Sequence, residues 1–133
     1  VIAEITADCP LIDPKLIDIA IQRYLENDFD YVANTIDRQF ADGMDVQIFS
    51  TNFLRTTYSP DMAPFFLEHV TAHIVKSDQF NRYNITANPE QYGPSLRITL
   101  DTETDYKIIR HVYTKLVEKK LEINCENVMR FLK

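Results

Sequence analysis

Glycine is nearly absent from this chain of 133 residues, which holds only Gly43 and Gly93. A Walker loop and a G-x-G-x-x-G turn both need several glycines close together, so neither can be built here. Tryptophan is missing altogether, and the two cysteines, Cys9 and Cys125, lie far apart and form no motif. Such a pattern fits a reducing, cytoplasmic compartment better than a disulfide framework. No basic stretch exists: 14 Lys and Arg stand against 20 Asp and Glu, for a net charge of −6. A nucleic-acid surface is therefore not expected. No apolar run approaches the ~20 residues of a membrane helix, so no membrane span is expected either. Initiator methionine is absent too. Val1-Ile2-Ala3-Glu4-Ile5 enters an apolar run at once and reads like the inside of a strand. The expectation is that an upstream part of the protein precedes Val1.

What is present is ordinary for a globular domain: 45% apolar, 11% aromatic and 26% charged residues. The length suits one domain, 1–133, with one core of moderate size. Residues 1–7 read as a strand. Asp13-Pro14 pairs an N-cap with a proline at the first helical position, so a helix should run from Pro14 to about Glu26. Its apolar face would be Leu16, Ile17, Ala20, Ile21 and Leu25. Tyr31-Val32-Ala33 reads as a short strand, Asp42-Gly43 as a turn, and residues 45–49 as a second strand. A helix is expected from Thr51, and another over roughly 61–76 after Ser59-Pro60, with Pro64 in its first turn or kinking it. Residues 79–87 suit a strand. Leu96 to Leu100 alternates, with Leu96, Ile98 and Leu100 on one face and Arg97 and Thr99 on the other. Thr102 and Asp105 form a capping box for a helix from Glu103 to about Lys119, and Asn124 would cap a last helix near 126–132. Ile108, Ile109, Val112, Tyr113, Leu116 and Val117 give the long helix its apolar spacing. Strand–helix alternation at both ends argues for an α/β layered fold. The irregular middle, about 35–95, suits an insertion or an interface arm.

Two acids recur in similar settings. Asp8 follows the first strand and Asp101 the last, each with a helix soon after. Strand ends form the ligand crevice of open α/β sheets. Two carboxylates placed there could share one Mg²⁺, a hard cation that takes oxygen ligands. The same positions also suit caps or turn residues.

The chain resembles a known family in five blocks that keep one order. Ile5-Thr6-Ala7-Asp8-Cys9-Pro10-Leu11-Ile12-Asp13-Pro14 is similar to the "T-G-D-C-P-L-I-D-P" segment of the spore-coat polysaccharide biosynthesis type of cytidylyltransferase. That group is related to the acylneuraminate and other CMP-sugar synthetases. Tyr31-Val32-Ala33-Asn34 resembles its "Y-V-S-N", and residues 42–50 resemble "D-G-x-D-V-E-V-F-S". Glu68-His69-Val70-Thr71 resembles "R-E-H-V-T", and residues 96–102 resemble "L-R-x-T-V-D-T". The resemblance implies a partial nucleotide-diphospho-sugar transferase (GT-A-like) fold, a mixed sheet flanked by helices, whose N-terminal nucleotide-binding part is missing. It implies a Mg²⁺ held by Asp8 and Asp101, which would also be the catalytic pair. The implied reaction transfers CMP from CTP to an acidic sugar and releases pyrophosphate, in surface polysaccharide biosynthesis. This part alone is expected to be inactive. The chain departs from the family pattern at Glu4 and Leu67, where Arg is usual, and at Ala7, Ala41 and Gln47, where Gly, Pro and Glu are usual. The departures at Glu4, Gln47 and Leu67 also fit a non-catalytic dimerisation or carrier domain that kept the fold. A related sugar-nucleotide glycosyltransferase is a further alternative.

Other polar residues complete the candidate site. Arg97 and Thr99 share a strand face with Asp101, and Asp45 and Gln47 share another that could reach the sugar. By resemblance, Glu68 and His69 organise the substrate side. Asn34 could bond a ligand or hold a turn. His69 and His73 are four apart, but the order of residues is not H-E-x-x-H and a third ligand is lacking, so zinc is not expected. Phe65, Phe66, Phe80 and Tyr83 could form a homodimer patch or pack in the core.

Overall fold

The caps read from the sequence set the first and last helices. In the computed structural model, which describes residues 1–133, the Asp13 side chain accepts from the Lys15 N–H and Pro14 opens α1 (Pro14–Glu26). Thr102 and Asp105 form the complete capping box of α5 (Glu103–Glu118), and Asn124 caps α6 (Cys125–Leu132). β1 (Ile2–Glu4) precedes α1, and between α1 and α5 lie β2 (Tyr31–Ala33), β3 (Gln47–Phe49), α2 (Thr51–Thr57), α3 (Pro64–Glu68), α4 (Ala72–Val75) and β4 (Arg82–Asn84).

The strands form one sheet in the order β1-β3-β2-β4. β3 runs antiparallel to both β1 and β2, and β4 runs parallel to β2. The α/β class and the mixed sheet flanked by helices are thus as expected. Side chains alternate across the sheet, so each face builds its own core. Val32 and Ile48, register partners, point to the larger core with Leu16 and Ala20 of α1, Ile109, Val112 and Leu116 of α5, and Val128 and Met129 of α6. Tyr31, Ala33 and Phe49 point the other way, to Ile74 of α4 and to Phe53 and Leu54 of α2. Residues 35–95 therefore supply two of the four strands and the helices of one face. No helix is long and apolar enough to cross a membrane.

Several expectations are corrected. The helix over 61–76 is two short helices, broken at His69–Thr71. Thr71 is buried and its hydroxyl donates to Gln47 Oε1, so a tertiary bond and the β-branched pair Val70-Thr71 outweigh helical continuity. Pro64 sits at the start of α3, where a missing N–H costs nothing. Residues 96–100 are extended but lie outside the sheet. Single hydrogen bonds hold them: Asp42 N–H to Leu96 O (2.9 Å), Ile98 N–H to Asp42 O (2.7 Å) and Leu100 N–H to Asp8 O (2.8 Å). Ile98 is buried and Leu96 packs half-buried against the core, while Leu100 is 39% exposed. Asp45 and Val46 are held off the ladder by Arg38 and Asn34, so β3 begins at Gln47. Leu25, at 65% exposure, lies beyond the buried stripe of α1, and Ile108, Tyr113 and Val117 flank that of α5.

Candidate metal and substrate site

Asp101 is placed by the capping box beside it. Asp105 Oδ2 accepts from the backbone N–H of Asp101 (3.1 Å) and of Thr102 (2.8 Å). The helix start therefore fixes the backbone of the residue before it. Asp101 Oδ2 accepts from Thr99 Oγ1 at 3.0 Å and from the Arg97 guanidinium. Arg97 also donates to Asp105 Oδ1 at 3.1 Å. The face shared by Arg97, Thr99 and Asp101 is thus realised, although no sheet ladder enforces it.

Asp8 reaches the same neighbourhood through the main chain, since its carbonyl accepts from Leu100 N–H at 2.8 Å. Asp8 and the residue before Asp101 are one hydrogen bond apart. Neither acid stands directly at a strand end: β1 stops at Glu4, and the segment before Asp101 is not a strand. Hydrogen bonding from Thr6 holds the Asp8 carboxyl below the usual carboxylate range, with the Arg97 charge adding to the effect. Cys9 Sγ lies 3.7 Å from Asp8 Oδ1, and burial pushes its thiol up to about 11. It is a thiol at neutral pH rather than a nucleophile.

No group of three or more His, Cys, Asp or Glu side chains gathers to hold a metal. A cation beside Asp8 and Asp101 would have two carboxylates and would complete its shell with ligand oxygens and water. That donor set suits Mg²⁺, which binds through one or two carboxylates plus substrate phosphates.

A cavity of about 310 Å³ opens next to Thr6, and the expected Gln47, Glu68 and His69 line it with Glu4, Thr35 and Lys76. Gln47 faces Glu4 across the β1–β3 pair. Its Oε1 accepts from the hydroxyls of Tyr31 and Thr71. Burial pushes the Tyr31 phenol up to about 12, so it stays a donor. Glu68 ends α3 and His69 follows it, its ring tilted 59° against Phe65 with ring centres 4.6 Å apart. His73 lies in α4 beyond the break, so the two histidines do not share one helix.

Asp45 and Asn34 are committed elsewhere. Arg38 grips both Asp45 oxygens at 2.7 Å. Asn34, buried, donates to Met44 O (2.7 Å) and accepts from Val46 N–H (2.9 Å), which fastens the turn before β3. The four aromatics separate: Phe65 and Phe66 pack together, Phe80 packs on Phe53 and Tyr83 on Phe29. A larger cavity, about 410 Å³, lies between α1 and the start of α6 and contains none of the expected site residues. Sequence reasoning missed Thr6, Thr35, Thr71 and Lys76 as lining residues. Thr6 and Thr71 lie inside the quoted family blocks, which was the available signal.

Residues 1–128 match the family model described as cytidylyltransferase. The chain is 29% identical over 123 residues to the spore coat polysaccharide biosynthesis protein SpsF of Bacillus subtilis, covering 90% of this chain and 49% of that protein. It is 29% identical over 109 residues to an uncharacterized protein of Methanocaldococcus jannaschii, covering 81% of this chain and 44% of that one. A cytidylyltransferase of known structure from Leptospira borgpetersenii superposes with a TM-score of 0.78 at 26% identity, over 91% of this chain and 51% of its own. The chain spans about half the length of the curated relatives it matches. By its match over residues 1–128, the chain belongs to the cytidylyltransferase family.

Proposed function

We propose that the protein containing these residues transfers CMP from CTP to an acidic sugar, for surface polysaccharide synthesis. The acceptor hydroxyl oxygen attacks the α-phosphorus, the bond to the β-phosphate oxygen breaks, pyrophosphate leaves and the hydroxyl proton passes to water. The single observation that carries this reading is the meeting of Asp8 and the Leu100–Asp101 segment through a 2.8 Å main-chain hydrogen bond, in a chain of this family. Asp8 and Asp101 would hold Mg²⁺, which supplies charge neutralisation at phosphate oxygens. Arg97 and Thr99 orient the Asp101 carboxylate, and Thr6 keeps Asp8 ionised. Lys76 is the cation in the wall of the 310 Å³ cavity and is the proposed partner of the sugar carboxylate. With two glycines and no phosphate-cradling loop, residues 1–133 alone are proposed to turn over little or no CTP.

The test is pyrophosphate release by the complete protein with CTP, Mg²⁺ and a panel of sugar acids. Asp8→Asn and Asp101→Asn should each lower kcat/KM by more than about 100-fold, the size expected for loss of several kcal/mol of charge stabilisation. Release unchanged in both variants refutes the assignment.

A further inference from the structure

Two arginine–aspartate pairs in this chain differ in how the guanidinium is spent. Arg38 gives both arms to Asp45, Nη1 to Oδ1 and Nη2 to Oδ2 at 2.7 Å each, and so closes both carboxylate oxygens. Asp42 stands 3.6 Å from the same Nη1 and does not draw it away. Arg97, by contrast, is divided. Its Nη2 donates to Asp101 Oδ2, while its Nη1 donates to Asp105 Oδ1 at 3.1 Å. Thr99 donates to the same Asp101 Oδ2, and no hydrogen bond within the chain reaches Asp101 Oδ1. An undivided guanidinium favours the two-armed grip, because its planar fork matches a carboxylate. The helix start does not need the second oxygen of Asp105. Capping uses Oδ2 alone, which accepts from the N–H groups of Asp101 and Thr102 and from the Thr102 hydroxyl. Oδ1 is left for Arg97, eight residues earlier in the chain.

We propose that Asp105 is a positioning residue for the metal: by holding one arm of Arg97 it keeps Asp101 Oδ1 open to a divalent cation. The proposal rests on the reading of Asp8 and Asp101 as metal ligands. Without the Asp105 charge, the second arm of Arg97 is free to close on Asp101 as Arg38 closes on Asp45. A cation would then have to displace a guanidinium from both oxygens. Arg97 therefore competes with the metal for Asp101, and Asp105 limits that competition. The residue serves the helix with one oxygen and the site with the other.

The test is binding of Mn²⁺, as a stand-in for Mg²⁺, to the complete protein without CTP, read from the electron paramagnetic resonance of free Mn²⁺. Asp105→Asn keeps an oxygen for the cap and loses the charge that holds Arg97. It should weaken Mn²⁺ binding about three- to fivefold, the scale of one half-exposed ion pair. Arg97→Gln leaves the cap untouched and should tighten binding. In the Arg97→Gln background, Asp105→Asn should change the affinity by less than about 1.5-fold, because the guanidinium it acts through is gone. Equal weakening in both backgrounds overturns the proposal, since Asp105 would then act by its own charge or through the helix start. So does an Asp105→Asn variant that binds like the parent, or an Arg97→Gln variant that binds no more tightly. Any of these results, with Mn²⁺ binding still abolished by Asp8→Asn and Asp101→Asn, sinks this inference and leaves the metal pair standing. Mn²⁺ binding indifferent to Asp8 and Asp101 sinks both.

Discussion

One carboxylate fastens two helices, and its removal gives the sharpest test of how the ends of the chain are joined. Asp13 is 4% exposed. Its Oδ1 accepts from Lys15 N–H at 2.8 Å, capping α1, and its Oδ2 accepts from Cys125 N–H at 2.9 Å, in the first turn of α6. Asp13→Asn keeps one acceptor and turns the other position into a donor, so one buried N–H loses its partner. That costs about 1–3 kcal/mol. Asp13→Ala also removes the cap, worth about 1 kcal/mol, for a total of about 2–4 kcal/mol. Against a typical stability of about 5–15 kcal/mol, either change is large. Urea unfolding followed by circular dichroism reads the difference directly. Cys125→Pro isolates the long-range bond: proline suits the first helical position and has no N–H. Asn124 before it is already extended, at φ −148° and ψ 164°, as a residue preceding proline must be. In that background Asp13→Asn should lose most of its cost, since packing changes common to both arms cancel in the cycle. A cost that is unchanged in the proline background refutes the shared-cap reasoning, as does an Asp13→Asn variant within about 0.5 kcal/mol of the parent.

Gly43 has φ +105°, and a Cβ there would stand 2.9 Å from the Ile98 carbonyl carbon. Gly43→Ala should therefore cost at least about 1–3 kcal/mol and loosen the Asp42–Arg97 bridge, detectable as faster amide exchange at Ile98. Burial raises the Glu4 carboxyl, so the native state holds more protons than the unfolded chain as pH rises from the usual value of 4.5 through the raised one. Stability falls across that window, and Glu4→Gln should be the more stable protein above it, with the advantage vanishing below pH 4.5 in urea midpoints taken across the range. Both ring nitrogens of His73 are buried without partners, and burial lowers its pKa below 6.5. Below pH 6.5 the unfolded chain takes a proton the native state resists, so stability falls on acidification. His73→Leu, among Leu54, Phe66 and Val70, should gain about 1 kcal/mol and flatten that fall as the pH drops through 6.5; an equally steep slope would show that another group causes it.

Of the fold, the sequence made legible whatever is decided within a few residues of itself. Asp13-Pro14, the Thr102–Asp105 box and Asn124 start helices where they stand, because a side-chain oxygen two or three residues away satisfies the first free N–H groups. Tyr31-Val32-Ala33 is apolar on both sides because both faces of the sheet are covered. The five family blocks likewise carried the cytidylyltransferase identity in linear order. Tertiary structure decided what depends on partners distant in the chain. Thr71 left a helix to reach Gln47, and residues 96–100 were drawn out of the sheet by Asp42 and Asp8. Arg38 claimed Asp45, and Met44 and Val46 claimed Asn34, so two expected ligand residues serve the turn before β3. Glu4 Oε2 is left unpaired because strand register sets the residue opposite Gln47 and packing covers that one oxygen. Local preference can name a helix start, since its bonds close over a few residues. Which polar atom ends without a partner depends on how the whole chain is closed.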